Sequence, residues 1–149
     1  MTKRFIKFYR TGDPYGEFSN FAEYPITVRG VEWPTSEHYF QAQKFAGTPD
    51  EEAVRLANSP MAAAKMGREL SRPLRTDWET VKDDIMLEAL LAKFEQHPKL
   101  LGLLLSTDDA EIVEHTNNDS YWGDGGDGSG KNMLGRILME VRQRLSVGG

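Results

Sequence analysis

Apolar residues come in two kinds of block along this chain. The early blocks are short and rich in aromatic and β-branched residues. Phe5 to Tyr9 and Pro25 to Arg29 read as strands, the first bounded by Thr11-Gly12-Asp13-Pro14. Gly30-Val31-Glu32 reads as a turn leading to Trp33. The later blocks change to helical spacing. Pro34-Thr35-Ser36 opens a helix with Thr35 as N-cap, running to about Ala46. Asp50 is expected to cap a short helix through Leu56, and Ser59-Pro60 to open another from Met61 to Leu70. Thr76-x-x-Glu79 has capping-box spacing ahead of a long helix to about Gln96, with Val81, Ile85, Ala89, Leu90 and Phe94 on its stripe. Pro98 to Leu105 reads as a short apolar helix and Glu111 to His115 as a brief strand. The last helix covers about Met133 to Leu145, striped by Leu134, Ile137, Leu138, Val141 and Leu145.

Two or three strands come early and four to six helices come late, without βαβ alternation. The expected fold class is therefore α+β: a single helix-rich domain over residues 1–149 with a small N-terminal sheet.

Composition narrows the chemistry. At 149 residues the chain can bury a real core, and 39% hydrophobic with 28% charged residues is ordinary for a globular protein. A net charge of -5 argues against non-specific nucleic-acid binding, which needs a basic footprint. With no cysteine, disulfides, thiolate catalysis and cysteine zinc sites are excluded. His38, His97 and His115 match no zinc spacing and read as structural, so neither metal nor cofactor is expected. The start Met1-Thr2-Lys3-Arg4-Phe5 has no apolar leader, and no stretch approaches a membrane span, so a cytoplasmic protein without membrane contact is expected.

One stretch interrupts the apolar pattern. Asn118 to Asn132 holds five of the fourteen glycines, three aspartates, Tyr121-Trp122 and Lys131, with no aliphatic residue. It leads into a helix, whose free N–H groups would favour an anion. Gly123-x-Gly125-x-x-Gly128 matches a dinucleotide fingerprint literally, but no βαβ unit surrounds it. Gly125-x-x-x-x-Gly130-Lys131 resembles a phosphate loop, but Asn132 replaces the magnesium-binding hydroxyl. The spacing of Asp124 and Asp127 is not that of an EF-hand.

A second dense stretch lies on the Thr35-capped helix. Glu37, Phe40, Gln41 and Lys44 stand at i, i+3, i+4 and i+7, placing acid, aromatic, amide and amine on one face. A solvated face with a Glu/Lys pairing has the same pattern. Lys93 falls at the edge of the long helix's stripe and reads as a snorkelling lysine. Trp78 reads as a core anchor or a stacking wall. Lys65 and Arg68, at i and i+3, read as a phosphate clamp or an ordinary solvated pair.

The order of motifs carries a resemblance: Phe8-Tyr9, Tyr15-Gly16-Glu17-Phe18-Ser19-Asn20-Phe21, Trp33 to Phe45, Ala63 to Arg68, Ala92-Lys93-Phe94, Glu114-His115-Thr116 and Asp119 to Gly125. Over nearly the whole chain this resembles the NADAR family, and within it the YbiA-like bacterial N-glycosidases. The resemblance implies an α+β, helix-rich fold and hydrolysis of the bond between a base nitrogen and C1 of a phosphorylated ribose. The implied substrates are ribosylamino-pyrimidine phosphates of the riboflavin pathway. Alternatives are removal of ADP-ribose from guanine bases, which alone would bring in nucleic acid, and a non-catalytic module that binds ADP-ribose or a nucleotide.

Cleaving such a bond builds positive charge at C1. A carboxylate beside C1 would stabilise it and orient water; Glu37 is the first choice, with Asp119 or Asp124 second. Lys44 would contact phosphate or attack C1 through an amine of lowered pKa, forming a Schiff base. Catalysis is thus expected from Glu37, Lys44 and Asp119. Substrate contacts are expected from Tyr9, Asn20, Phe21, Phe40, Arg68, Trp78, Trp122, Gly123 and Asp124. Phosphate would rest on Arg68 and Lys65 or on the N–H groups before the last helix. The loop would form one wall of the pocket.

Overall fold

A computed structural model describes residues 4–147. Among them are four strands and six α-helices: β1 (Phe5–Phe8), β2 (Ile26–Val28), β3 (Val31–Trp33), α1 (Ser36–Gln43), α2 (Pro49–Arg55), α3 (Pro60–Gly67), α4 (Trp78–Gln96), α5 (Pro98–Leu105), β4 (Glu111–Glu114) and α6 (Met133–Val147). The strands make two small sheets, so the fold is α+β and helix-rich. No helix among the described residues is long and apolar enough to cross a membrane. The chain divides into two compact units. One joins the segment up to Ala22 with the segment from Phe94 on; the other is Glu23–Lys93.

In the first unit β1 pairs in parallel with β4, with Phe5 opposite Glu111 and Phe8 opposite Glu114. The small sheet is therefore not made from the N-terminal segment alone. Strand alternation buries Ile6 and Phe8 and leaves Phe5 and Lys7 outside. Phe18, from a short 3-10 turn at Gly16–Phe18, meets Phe8 edge-on at 5.9 Å and Phe94 at 5.8 Å. The helical stripe of α6 buries Leu134, Ile137, Leu138 and Val141, and α6 packs on β4. Asn132 fixes that joint. Its side-chain amide accepts from Glu114 N–H at 3.0 Å and donates to the Ile112 carbonyl at 2.9 Å, acting as one more rung of the strand.

In the second unit β2 and β3 form a hairpin. Val31 and Glu32 belong to β3, so the expected three-residue turn is corrected. The bend is Arg29-Gly30, both at positive φ (52° and 79°), the geometry that matches the twist of a two-residue hairpin. Ile26, Val28, Trp33, Tyr39, Ala42, Phe45, Val54, Ala63 and Ala89 make the core. α1 lies at its centre, packed on α2 and α3. Thr35 caps α1 by accepting from His38 N–H, and Ser59 caps α3 by accepting from Ala62 N–H.

Other end signals differ from expectation. Asp50 lies inside α2, which starts at Pro49 after Thr48, so it is not the cap. α3 stops at Gly67 rather than Leu70, closed by Arg68 N–H on the Lys65 and Met66 carbonyls. The capping box at Thr76 does not form. α4 begins at Trp78, the Asp77 carbonyl takes the first bonds from Thr80 and Val81, and the Glu79 carboxylate pairs with Lys82 instead.

Candidate active site

Every residue of α1 is buried, although five of the eight are polar. Burying polar groups is unfavourable unless they find partners. His38 is bound at both ring nitrogens, to Thr35 Oγ1 at 2.8 Å and the Ala57 carbonyl at 2.9 Å. A carbonyl only accepts, so Nε2 carries the proton and Nδ1 accepts from the Thr35 hydroxyl. Burial lowers the His38 pKa against the opposing pull of that carbonyl, which keeps the ring neutral. This histidine is structural, in line with the sequence. Gln43 donates to Glu51 at 2.8 Å.

Glu37 and Gln41 of α1, with Lys44 at its C-terminal cap, form the candidate site. Glu37 is 7% and Gln41 6% exposed, so this is not a solvated helix face. Gln41 Nε2 donates to Glu37 Oε2 at 2.7 Å, one helical turn away. Lys44 caps the C-terminus of α1, and its Nζ donates to the Gly67 carbonyl at 3.2 Å. The same ammonium stands 5.7 Å from the centroid of the Trp78 ring, which packs edge-on against Phe40 at 5.1 Å. Desolvation lowers the Lys44 pKa, opposed by Glu37 and Glu79 and assisted by Arg68 and Lys82. Arg68 is exposed just past the end of α3. Of the expected site residues, Glu37, Phe40, Lys44, Arg68 and Trp78 thus share this unit. A buried carboxylate, a desolvated amine and an aromatic floor stand together, with an exposed guanidinium felt by the amine.

The other expected residues belong to the first unit. Tyr9 is partly exposed, and its hydroxyl accepts from Asn118 Nδ2 at 3.1 Å. Asn20 is buried, and Phe21 N–H donates to Ser19 Oγ at 3.1 Å. Asp119 Oδ1 accepts from Tyr121 N–H at 2.9 Å and Trp122 N–H at 2.8 Å, a side-chain turn that sets the aromatic pair. The two rings meet edge-on at 4.9 Å. Gly123 is buried so tightly that a Cβ there would lie 2.8 Å from Thr116 Cγ2.

Asp124 is the hub of the loop. It is 5% exposed; Oδ1 accepts from Thr116 and Gly126 N–H at 3.0 and 2.9 Å, and Oδ2 accepts from His115 Nδ1 at 2.7 Å. Burial opposes its charge, but the bonds from His115 and the two backbone amides outweigh burial and hold its pKa below the usual carboxylate value. Beside it, a groove of about 470 Å³ opens between the outer face of the β1–β4 sheet and the glycines, reached by Lys7, Lys131 and Arg136.

Two expectations fail here. The N–H groups at the start of α6 are not free for an anion: those of Lys131, Asn132, Met133 and Leu134 donate to the carbonyls of Ser120, Gly123, Tyr121 and Trp122. Lys93 does not snorkel. It is fully buried, with its ammonium 5.7 Å from the Tyr24 ring.

The sequence gives two residues of the α1 cluster no role of their own. Gln41 is placed on the Glu37 face by its spacing alone, as the i+4 neighbour of Glu37. Gly67 leaves no periodic signal, because its contribution is a missing side chain.

The comparisons agree with the fold. The chain is 58% identical to N-glycosidase YbiA of Escherichia coli (strain K12), over 99% of this chain and 92% of that one. The NMR structure of YbiA superposes with a TM-score of 0.91, covering 99% of this chain and 88% of that one. N-glycosidase Npun_R5314 of Nostoc punctiforme is 45% identical over 94% of this chain and 92% of its own length. The maize Riboflavin biosynthesis protein PYRR, chloroplastic, is 41% identical over 94% of this chain, which spans 25% of that longer protein. The model of the NADAR domain matches residues 7–146, and the chain belongs to the NADAR family.

Proposed function

We propose that this chain is a cytoplasmic N-glycosidase that hydrolyses the bond between a base nitrogen and C1 of a phosphorylated ribose, with ribosylamino-pyrimidine phosphates of riboflavin biosynthesis as substrate. The names of YbiA and the Nostoc protein support the reaction, and that of the maize protein supports the pathway. The observation that carries the chemistry is a buried carboxylate, Glu37, on the same short helix as the desolvated amine of Lys44.

In this reading the C1–N electrons leave with the base nitrogen and C1 becomes oxocarbenium-like. The ionised Glu37 stabilises that charge in a site from which water is largely excluded. In one branch Glu37 takes a proton from water as its oxygen bonds to C1, and that proton passes to the departing nitrogen. In the other branch the Lys44 amine bonds to C1, the sugar ring opens to a Schiff base, and water releases the sugar and the lysine. Either way one water is consumed. The Lys44 branch needs a neutral amine, which a lowered pKa favours. Trp78 and Phe40, buried edge-on against each other, wall the amine with apolar rings, and Arg68 offers a fork for phosphate.

The test is incubation of the protein with a ribosylamino-pyrimidine phosphate and, separately, with an ADP-ribosylated guanine oligonucleotide, followed by mass spectrometry. The expected result is free pyrimidine amine from the first. Release of ADP-ribose, leaving the unmodified oligonucleotide, from the second alone would move the substrate to ADP-ribosylated bases. Both ligands recovered intact would leave a binding module. Borohydride during turnover is expected to fix the sugar on Lys44; active protein without any adduct would leave the water branch.

A further inference from the structure

The two groups assigned to chemistry are both held from one place, the last turn of α3. Gly67 accepts Lys44 Nζ at 3.2 Å through its carbonyl. On its other side it has no side chain, and that space is taken. A Cβ at position 67 would lie 1.9 Å from Gln41 Oε1 and 2.7 Å from Gln41 Cδ. The Gln41 amide therefore lies against the bare Cα of Gly67, and its far end donates to Glu37 Oε2 at 2.7 Å.

The orientation of that amide is set by chemistry. Flipped, it would bring a carbonyl oxygen against a carboxylate oxygen at hydrogen-bond distance, so the NH₂ must face Glu37. The consequence is a buried Oε1 with no hydrogen-bond partner among the described residues. An unpaired buried acceptor is unfavourable, and an apolar side chain of the same shape would remove that penalty. Stability therefore does not explain glutamine here. A neutral donor on Glu37 does two other things: it fixes the carboxylate rotamer, and it favours the ionised form.

We propose that Gln41 is a positioning residue for Glu37, and that Gly67 is the shared seat that lets Gln41 reach Glu37 while its carbonyl holds Lys44. The proposal rests on Glu37 and Lys44 as the reacting groups, but its main readout does not. In the full chain with ¹³C-labelled glutamate carboxyls, the Glu37 signal is assigned by Glu37→Gln and titrated in wild type and in Gln41→Met. The replacement keeps volume and removes the donor. Gln41→Met is expected to raise the Glu37 pKa by about one unit, with a thermal midpoint no lower than wild type. An unmoved Glu37 titration overturns the role of Gln41.

Turnover separates the two readings. The acid limb of kcat/KM is expected to follow the same shift in Gln41→Met, with kcat falling and KM nearly unchanged. If Glu37→Gln is inactive and Gln41→Met has the wild-type kcat and pH profile, only the positioning proposal fails. If Glu37→Gln is fully active, the reading of Glu37 fails, and the titration still decides what Gln41 does to it. For Gly67, Gly67→Ala is expected to lower the thermal midpoint. Adding Gln41→Ala, which vacates the contested space, is expected to restore that midpoint without restoring activity. A midpoint not restored by the second substitution overturns the seat.

Discussion

The α1 cluster and the glycine loop are both dense in polar residues, and they spend their polar atoms differently. In the loop, the acids are bound to nearby backbone. Asp119 holds the amides of Tyr121 and Trp122; Asp124 holds those of Thr116 and Gly126 and the ring of His115. In α1, Glu37 accepts from the side chain of Gln41, and Thr35 caps the helix. Lys44 is desolvated beside a tryptophan rather than paired in a surface bridge. Acids that satisfy backbone amides build a loop, whereas a carboxylate buried near a half-buried amine is suited to reaction.

Substitutions can break this contrast. Lys44→Arg keeps the charge but cannot offer a neutral amine; in the Schiff-base branch it is expected to lower kcat by roughly 10²-fold or more. Borohydride trapping and the turnover rate check it together, and wild-type turnover would place the chemistry elsewhere. In the same branch wild-type activity is expected to rise with pH until Lys44 is deprotonated, with the limb below 10.5 because burial lowers the Lys44 pKa. A rate profile flat in that region would contradict it.

Arg68→Ala sharpens the assignment of phosphate. The loss of one charge-assisted contact is expected to raise KM about tenfold with kcat unchanged. Steady-state kinetics with and without the substrate phosphate separate this from a general defect.

Asp124→Asn probes the loop as scaffold. It weakens three hydrogen bonds, so a loss of about 1–3 kcal/mol is expected by urea titration. The acid side gives a finer check. The folded Asp124 carboxyl has a pKa below the 3.8 expected of an unperturbed aspartate. Its contribution is therefore full above that value and is lost as pH falls through the folded pKa. Asp124→Asn is expected to flatten that part of the acid-unfolding curve; an unchanged curve would remove Asp124 as the hub.

Periodicity and caps made the helices and three of the four strands legible, because local rules decide them. Thr35 and Ser59 cap where the sequence puts them. β3 was missed because three residues beside a two-residue turn give too little alternation to read. The pairing of β1 with β4 joins segments too far apart for any local signal. At the site, spacing alone put Glu37, Phe40, Gln41 and Lys44 on one face, but the same spacing suits a solvated helix. Burial decides between the two, and burial is a property of α2 and α3 packing on α1. The start of α6 taught the opposite lesson: a glycine-rich loop before a helix suggested an anion site, and the loop's own carbonyls fill it.

The contrast between the two clusters comes down to one carboxylate. Single-turnover release of free pyrimidine amine from a ribosylamino-pyrimidine phosphate by Glu37→Gln, followed by mass spectrometry beside a thermal melt, tests it most directly. Release slowed by roughly 10²–10⁴-fold with an unchanged midpoint is the predicted result; release at the wild-type rate would contradict the account.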